Sequence, residues 1–333
     1  MSKMKLIMES WRDFGVDEAE INPALTKNPL PTVVSRLQGK DGEFISSLLH
    51  GLEDGEERED AIPISETTPA CIQLRPTQAE VVFSKSIPFA LQRPKTFMEY
   101  FTSNGPFEVG PPNNNAIITL NNEYVLDGHH RWSSLYCVNP YAKMHAFNLN
   151  AKDLPALDSL KAAQASIFAY AKDVPSNKGG GTNLFGISEE DLKKGVWNSF
   201  NEDAEGQGPV ERANQYIELG LMKDSKGSVK EAIESGRDEE RVKAVVNRLL
   251  GIYTRNIVTM KSNNPPESGA TSREPMPQTD APSGSNVKAG GAIPKALQPL
   301  AKGQIDIRAP FRSQRRAAES KERSGKLIIN IKK

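Results

Sequence analysis

The stretch Tyr124-Val125-Leu126-Asp127-Gly128-His129-His130-Arg131-Trp132 decides how the chain is read. The apolar residues up to Leu126 describe a short strand, Asp-Gly a tight turn, and the residues that follow the first turn of a helix ending near Cys137. A helix that starts there leaves its first N–H groups without intrahelical partners, and its dipole places partial positive charge beside Gly128. Phosphates and carboxylates bind at helix starts of this kind. Gly128 has no Cβ to keep a ligand from the backbone, and Arg131 offers a planar fork matched to phosphate oxygens. A surface turn whose side chains only cap a helix is the alternative, but capping needs one polar residue and not five in a row.

The same residues resemble the ParB/sulfiredoxin superfamily, whose shared feature is a Gly-x-x-Arg box between a strand and a helix. Here the box is Gly128-His129-His130-Arg131, close to the Asp-Gly-His-His-Arg form of phage and bacterial ParB-like domains and related to that of free-serine kinases. Leu74-Arg75-Pro76-Thr77-Gln78-Ala79-Glu80 looks like that family's first strand and the polar segment after it. The resemblance spans residues 70–170 and implies a nucleotide phosphate held at the box. Sulfiredoxin reductases carry Cys after the Gly, where this chain has His129, so their thiol chemistry is not implied. Partition-type ParB has a second Asn-Leu-Gln-Arg box, and none follows His145–Asn148.

Composition sets wider bounds. The 333 residues are 37% hydrophobic with a mean hydropathy of −0.52. Formal net charge is zero, but its distribution is uneven: residues 1–70 hold 14 acidic and 7 basic side chains, and residues 302–333 hold 3 acidic and 10 basic. That basic end suits DNA or an acidic partner, or a solvated tail that pairs with the acidic N-terminal part. Two cysteines, Cys71 and Cys137, make no disulfide framework, so a reducing cytoplasm, of a host cell if the chain is phage-encoded, is the expected setting. No run is apolar for long enough to span a bilayer, so no membrane partner is expected.

The expected fold class is α+β: a small mixed sheet with packed helices, joined to a helical region and a long extended C-terminal arm. Residues 1–69 read as an N-terminal helix, with Leu6, Ile7, Trp11 and Phe14 at helical spacing, followed by an acidic segment rich in Pro and Gly. The N-terminal peptide looks like those that direct proteins into the heads of large tailed phages; a helix docking on its own domain is the alternative. Residues 70–175 form the sheet domain. Within it a strand over Cys71–Leu74, a helix over Pro94–Asn104, and a hairpin of Ala116–Leu120 with Tyr124–Leu126 are expected. A strand over Tyr141–Leu149 and an amphipathic helix over Ala156–Ala171 follow. Lys178-Gly179-Gly180-Gly181-Thr182 is a linker or a phosphate loop, though it lacks the Lys-Ser/Thr of a Walker A box.

Residues 183–260 read as helical, with Ser188 as an N-cap and an apolar stripe of Val242, Val245, Val246, Leu249, Leu250 and Tyr253. These helices form a bundle against the sheet domain, or a helix-turn-helix for DNA served by Arg241, Lys243, Arg248 and Arg255. Residues 261–333 form the arm. It reads as a free linker, or as one that packs back through Arg273–Asp280, with a basic helix over Arg312–Lys326 and an apolar terminal strand over Leu327–Ile331.

For chemistry, Gly128, His129, His130 and Arg131 are the expected phosphate binders. Asp127, Glu80 and His130 are the candidate catalytic groups, and Thr77, Gln78 and Ser134 auxiliary polar ones. Asp127 or Glu80 is placed to hold Mg²⁺ beside a nucleoside triphosphate, or to act as a general base. Neighbouring histidines diverge by about 100° on a helix, so a transition-metal site made by both is not expected. Three functions fit: a nucleotide-binding ParB-like protein with hydrolase or phosphotransferase activity, a DNA-binding or nuclease protein, and a head-packaged virion protein that binds capsid or other virion proteins.

Overall fold

A computed structural model of the chain describes residues 61–109, 116–152, 181–263 and 296–304, together with 265 and parts of 154–167. The N-terminal helix, most of the acidic segment, Arg273–Asp280, the basic helix and the terminal strand lie outside the described residues. Two compact units are present: residues 64–152 with 175–294, and residues 1–63 with 153–174 and 295–333. The chain is α+β, with a five-stranded mixed sheet and eight helices among the described residues.

The larger unit contains the whole sheet. Its strands are β1 (Ile64–Thr67), β2 (Arg75–Pro76), β3 (Ile117–Leu120), β4 (Tyr124–Asp127) and β5 (Ala146–Leu149), in the order β1-β5-β3-β4-β2. The hairpin β3–β4 is antiparallel and turns through Asn121 and Asn122, both at a φ of 54°. Asparagine tolerates that left-handed backbone better than most residues. β5 lies parallel to β3, and β1 pairs antiparallel with β5 from Ile64↔Leu149 to Thr67↔Ala146. The central strands β3 and β5 are buried at every residue. At the opposite edge β2 has only two residues, paired parallel to β4. Pro76 supplies no ladder N–H, which suits a short edge strand.

Cys71–Gln73 is a 3₁₀ turn and not the strand its residues suggest. Gln73 accounts for the difference: its side-chain oxygen accepts the Ala70 N–H at 2.9 Å, while the Gln73 N–H donates to the Ala70 carbonyl at 3.0 Å. The expected long strand after Tyr141 is confined to β5, because Ala142, Lys143, Met144 and His145 spend backbone bonds on Asn139, Asn104, Pro69 and Phe107.

Helices α1 (Phe83–Leu91), α2 (Pro94–Thr102) and α3 (His129–Val138) pack together, with α3 also against β3 and β4. α1 forms despite Pro88. Ser84, whose carbonyl would have received the missing N–H, is exposed and can bond to water. The bundle is completed by α4 (Glu189–Asn201), α5 (Pro209–Glu218), α6 (Gly227–Glu234) and the 26-residue α7 (Asp238–Asn263). Ser188 caps α4 by accepting the Asp191 N–H at 3.0 Å. The α7 stripe buries Val242, Val245, Val246, Leu249 and Tyr253, and α7 packs on α3, α4, α5 and α6. No helix among the described residues is long and apolar enough to cross a membrane.

In the smaller unit the described residues of the helix expected over 156–171, namely Ala156, Ser159, Leu160, Ala163, Ser166 and Ile167, are helical and buried. Ser166 donates to the Ala296 carbonyl at 2.6 Å, and the Ile62 N–H to that of Leu300 in α8 (Gln298–Ala301) at 3.1 Å. Part of the C-terminal arm is thus ordered against the residues before the sheet.

The turn from α4 to α5 depends on one cation. Arg212 is fully buried and donates to the carbonyls of Phe200, Glu202 and Gln207. Its guanidinium also lies 5.5 Å from the centroid of the Phe200 ring. Replacing Arg212 with Met should lower unfolding free energy in urea by about 2–4 kcal/mol, because those carbonyls lose their donor. A loss under about 0.5 kcal/mol would mean that the turn holds itself.

Candidate functional site

The β4–α3 junction brings the box together. Gly128 stands at the N-cap of α3 with φ 91° and ψ 24°, and its own position supplies no side-chain cap. Its carbonyl accepts the first helical bond, from the Trp132 N–H at 2.8 Å. A Cβ at Gly128 would lie 2.5 Å from Ile117 Cγ2 and 3.0 Å from Nε and Nη2 of Arg131. Glycine is therefore needed for both the left-handed backbone and the space. The same distances place the Arg131 guanidinium directly over the turn. Its Nη2 bonds Oδ2 of Asp127 at 3.0 Å, and both side chains retain some access to solvent.

The two histidines are engaged differently from what the sequence suggests. Nε2 of the buried His129 accepts the Thr77 N–H at 3.1 Å, while the Thr77 hydroxyl donates to the Val125 carbonyl at 2.8 Å. A ring nitrogen that accepts an N–H carries no proton of its own, so the His129 proton belongs on Nδ1. Nε2 of His130 accepts the Val82 N–H at 3.2 Å. Each imidazole thus holds one end of the segment from Thr77 to Val82. Any phosphate contact by His129 or His130, or proton transfer by His130, falls to the other ring nitrogen.

That segment carries Gln78 and Glu80, both partly buried. Neither makes a hydrogen bond or ion pair among the described residues. The box and the polar segment are therefore one assembly, with Asp127 and Arg131 in direct contact and Glu80 two residues before Val82, whose N–H is bonded to His130. Ser133 continues it, donating to Ser86 at 2.8 Å, and Ser86 donates to the Val82 carbonyl at 3.0 Å. Ser134 is 3% exposed and its hydroxyl has no hydrogen-bond partner among the described residues. No group of three or more His, Cys, Asp or Glu suited to a metal ion occurs among the described residues.

A third strand of chain braces the segment from its other side. Asn183 accepts the Val81 N–H at 3.0 Å and donates to the Ala79 carbonyl at 3.0 Å. The N–H groups of Leu184 and Phe83 bond the carbonyls of Val81 and Thr182, both at 2.8 Å. Gly181, at φ 147°, lies so close to Val82 that a Cβ would fall 2.4 Å from its Cγ1. The end of the glycine run thus supports the site by close approach. Neither Asn183 nor Ser86 is marked by any sequence pattern; the glycines before Asn183 are the only local sign of a tight passage.

Substituting Gly128 with Ala should cost about 2–4 kcal/mol in chemical denaturation. That figure combines the penalty of a left-handed L-residue with overpacking against Ile117. A neutral substitution would show that the turn is not held as described. Comparisons of the chain with protein-family models, curated proteins and solved structures returned no match.

Proposed function

We propose that the Gly128–Arg131 turn binds the phosphates of a nucleoside triphosphate, in a domain of the ParB/sulfiredoxin kind. The observation that carries this reading is the Arg131 guanidinium lying over a left-handed glycine at a helix start. An anion there meets the positive end of the α3 dipole and a bidentate donor together. The Asp127–Arg131 pair suits a charged ligand that carries its own counter-ion. With such a ligand bound, Arg131 would hold phosphate oxygens and Asp127 would be the carboxylate available to Mg²⁺.

A single carboxylate, or Asp127 with Glu80, is an adequate protein contribution, since Mg²⁺ keeps waters and takes the rest of its ligands from phosphate. The ion would neutralise charge on the transferring phosphate. Turnover would then use Glu80, Asp127 or Nδ1 of His130 as the base toward water or a hydroxyl substrate. Ser134, one helical turn beyond the box, is an unengaged donor of suitable kind. The DNA-binding reading rests on the basic end, of which only residues 302–304 are described, and the virion-assembly reading on the N-terminal peptide, which lies outside the described residues.

The test is a thermal-shift screen of the full chain against ATP, CTP and GTP and their diphosphates, with Mg²⁺, beside an Arg131→Ala variant. A hundredfold excess of ligand over its dissociation constant stabilises by about 2.7 kcal/mol, a melt shift of several degrees. The expected result is a Mg²⁺-dependent shift with at least one nucleotide that Arg131→Ala removes. No shift with any of them, or an equal shift in the variant, would overturn the proposal.

A further inference from the structure

The opposite end of α3 carries a second polar feature. A helix C-terminus leaves carbonyls without intrahelical donors. Here Asn256 of α7 supplies them: its Nδ2 donates to the carbonyls of Cys137 and Val138, each at 2.9 Å. Those bonds orient the amide and turn Oδ1 away from the helix end. Asn256 is only 5% exposed, and among the described residues its Oδ1 has no partner. That oxygen is not shut off from water, so it faces the surface as an acceptor open to a ligand.

That acceptor lines a surface groove of about 330 Å³, near the lower end of the roughly 300–1,000 Å³ that small ligands occupy. Phe101, Pro140 and Tyr141 form its apolar wall, and Arg255 and Thr259 its polar one. Phe101 is braced by stacking on Phe97, with ring centroids 6.0 Å apart. Tyr141, in contrast, is 66% exposed, a flat ring left in water at the rim. The Arg255 side chain makes no hydrogen bond or ion pair among the described residues. It is the only cation in the lining, which contains no acid, so the groove complements a single negative charge.

We propose that this groove is a second ligand site, for an α-amino-acid carboxylate with a bulky apolar or aromatic side chain. The carboxylate lies on the Arg255 fork, which matches carboxylate geometry in a bidentate way. The ligand's N–H meets Asn256 Oδ1, next to the negative end of the α3 dipole, which favours a donor. Its side chain packs between Phe101 and Tyr141. A free amino acid and the last residue of a peptide share this chemistry. The site is independent of the Gly128 turn, which lies about 15 Å away along the ten-residue α3.

The test is calorimetric titration of the full chain with L-phenylalanine and with N-acetyl-L-phenylalanine, which mimics a peptide end. L-Phenylalaninamide, which lacks the carboxylate, and inorganic phosphate serve as comparisons. At least one of the two carboxylates should bind once per chain, with a dissociation constant on the order of a millimolar or below. Tighter binding of the free amino acid assigns that source, and tighter binding of the acetylated one a peptide end. The amide should bind at least tenfold more weakly. Arg255→Gln and Tyr141→Ala, both surface changes, should each weaken binding while leaving the melt unchanged, Arg255→Gln by tenfold or more. Arg131→Ala should bind as the parent does. Four results would overturn the proposal: no saturable binding of either carboxylate, equal binding of the amide, phosphate binding as tight as the carboxylates, or undiminished binding by Arg255→Gln.

Discussion

Burial of α3 is the constraint on which the rest of the larger unit depends. From Trp132 to Val138 every residue of this helix is buried, so its polar groups turn to neighbouring elements for partners, the Ser134 hydroxyl excepted. The Trp132 indole N–H goes to the Cys71 carbonyl at 2.9 Å, which ties the 3₁₀ turn before β2 to the helix. The hydroxyls of Ser133 and Ser86 tie it to α1, and Asn256 ties its last carbonyls to α7. Burial pushes the Cys71 and Cys137 thiols well above their ordinary range, so both remain protonated packing groups and not nucleophiles. A helix buried this fully is packed on every side. Its two ends are therefore held by their neighbours, and a well-supported helix end is a good place for a charge-reading site.

The same constraint explains why the histidines face the chain. The segment 77–83 has few ladder partners, because β2 stops at Pro76. Its N–H groups are buried at Thr77 and Val82, where imidazole nitrogens receive them. The Val81 N–H is received by Asn183. Side-chain acceptors stand here in place of ladder partners. This arrangement leaves Asp127 and Arg131 as the charged groups of the turn, paired with each other and reaching solvent.

What could be read from sequence was local. The hairpin β3–β4, the Gly128 turn, α3, the Ser188 cap and the α7 stripe are each set by residues within a turn or two of one another, and the spacing of those residues reveals them. Features set by distant partners were not legible. β1, Ile-Ser-Glu-Thr, has little strand character and exists because β5 offers it an edge. α1 is hidden by Pro88, which is tolerated only because its solvent side is wet. The role of His129 depends on Thr77, and that of the 181–185 segment on 79–83. No periodicity encodes either pairing. The box was visible as a motif, while the direction of its imidazoles came from the fold around it.

Phosphate binding at the start of α3 has a direct spectroscopic signature. Amide NMR of the deuterated, ¹⁵N-labelled full chain, titrated with Mg²⁺ and nucleoside triphosphate, tests it most directly. The largest shift changes should fall on the backbone N–H groups of Gly128, His129 and His130, with a matching change at the Arg131 guanidinium. Saturable changes elsewhere with those amides unmoved would contradict it, as would a spectrum that does not respond to any nucleotide.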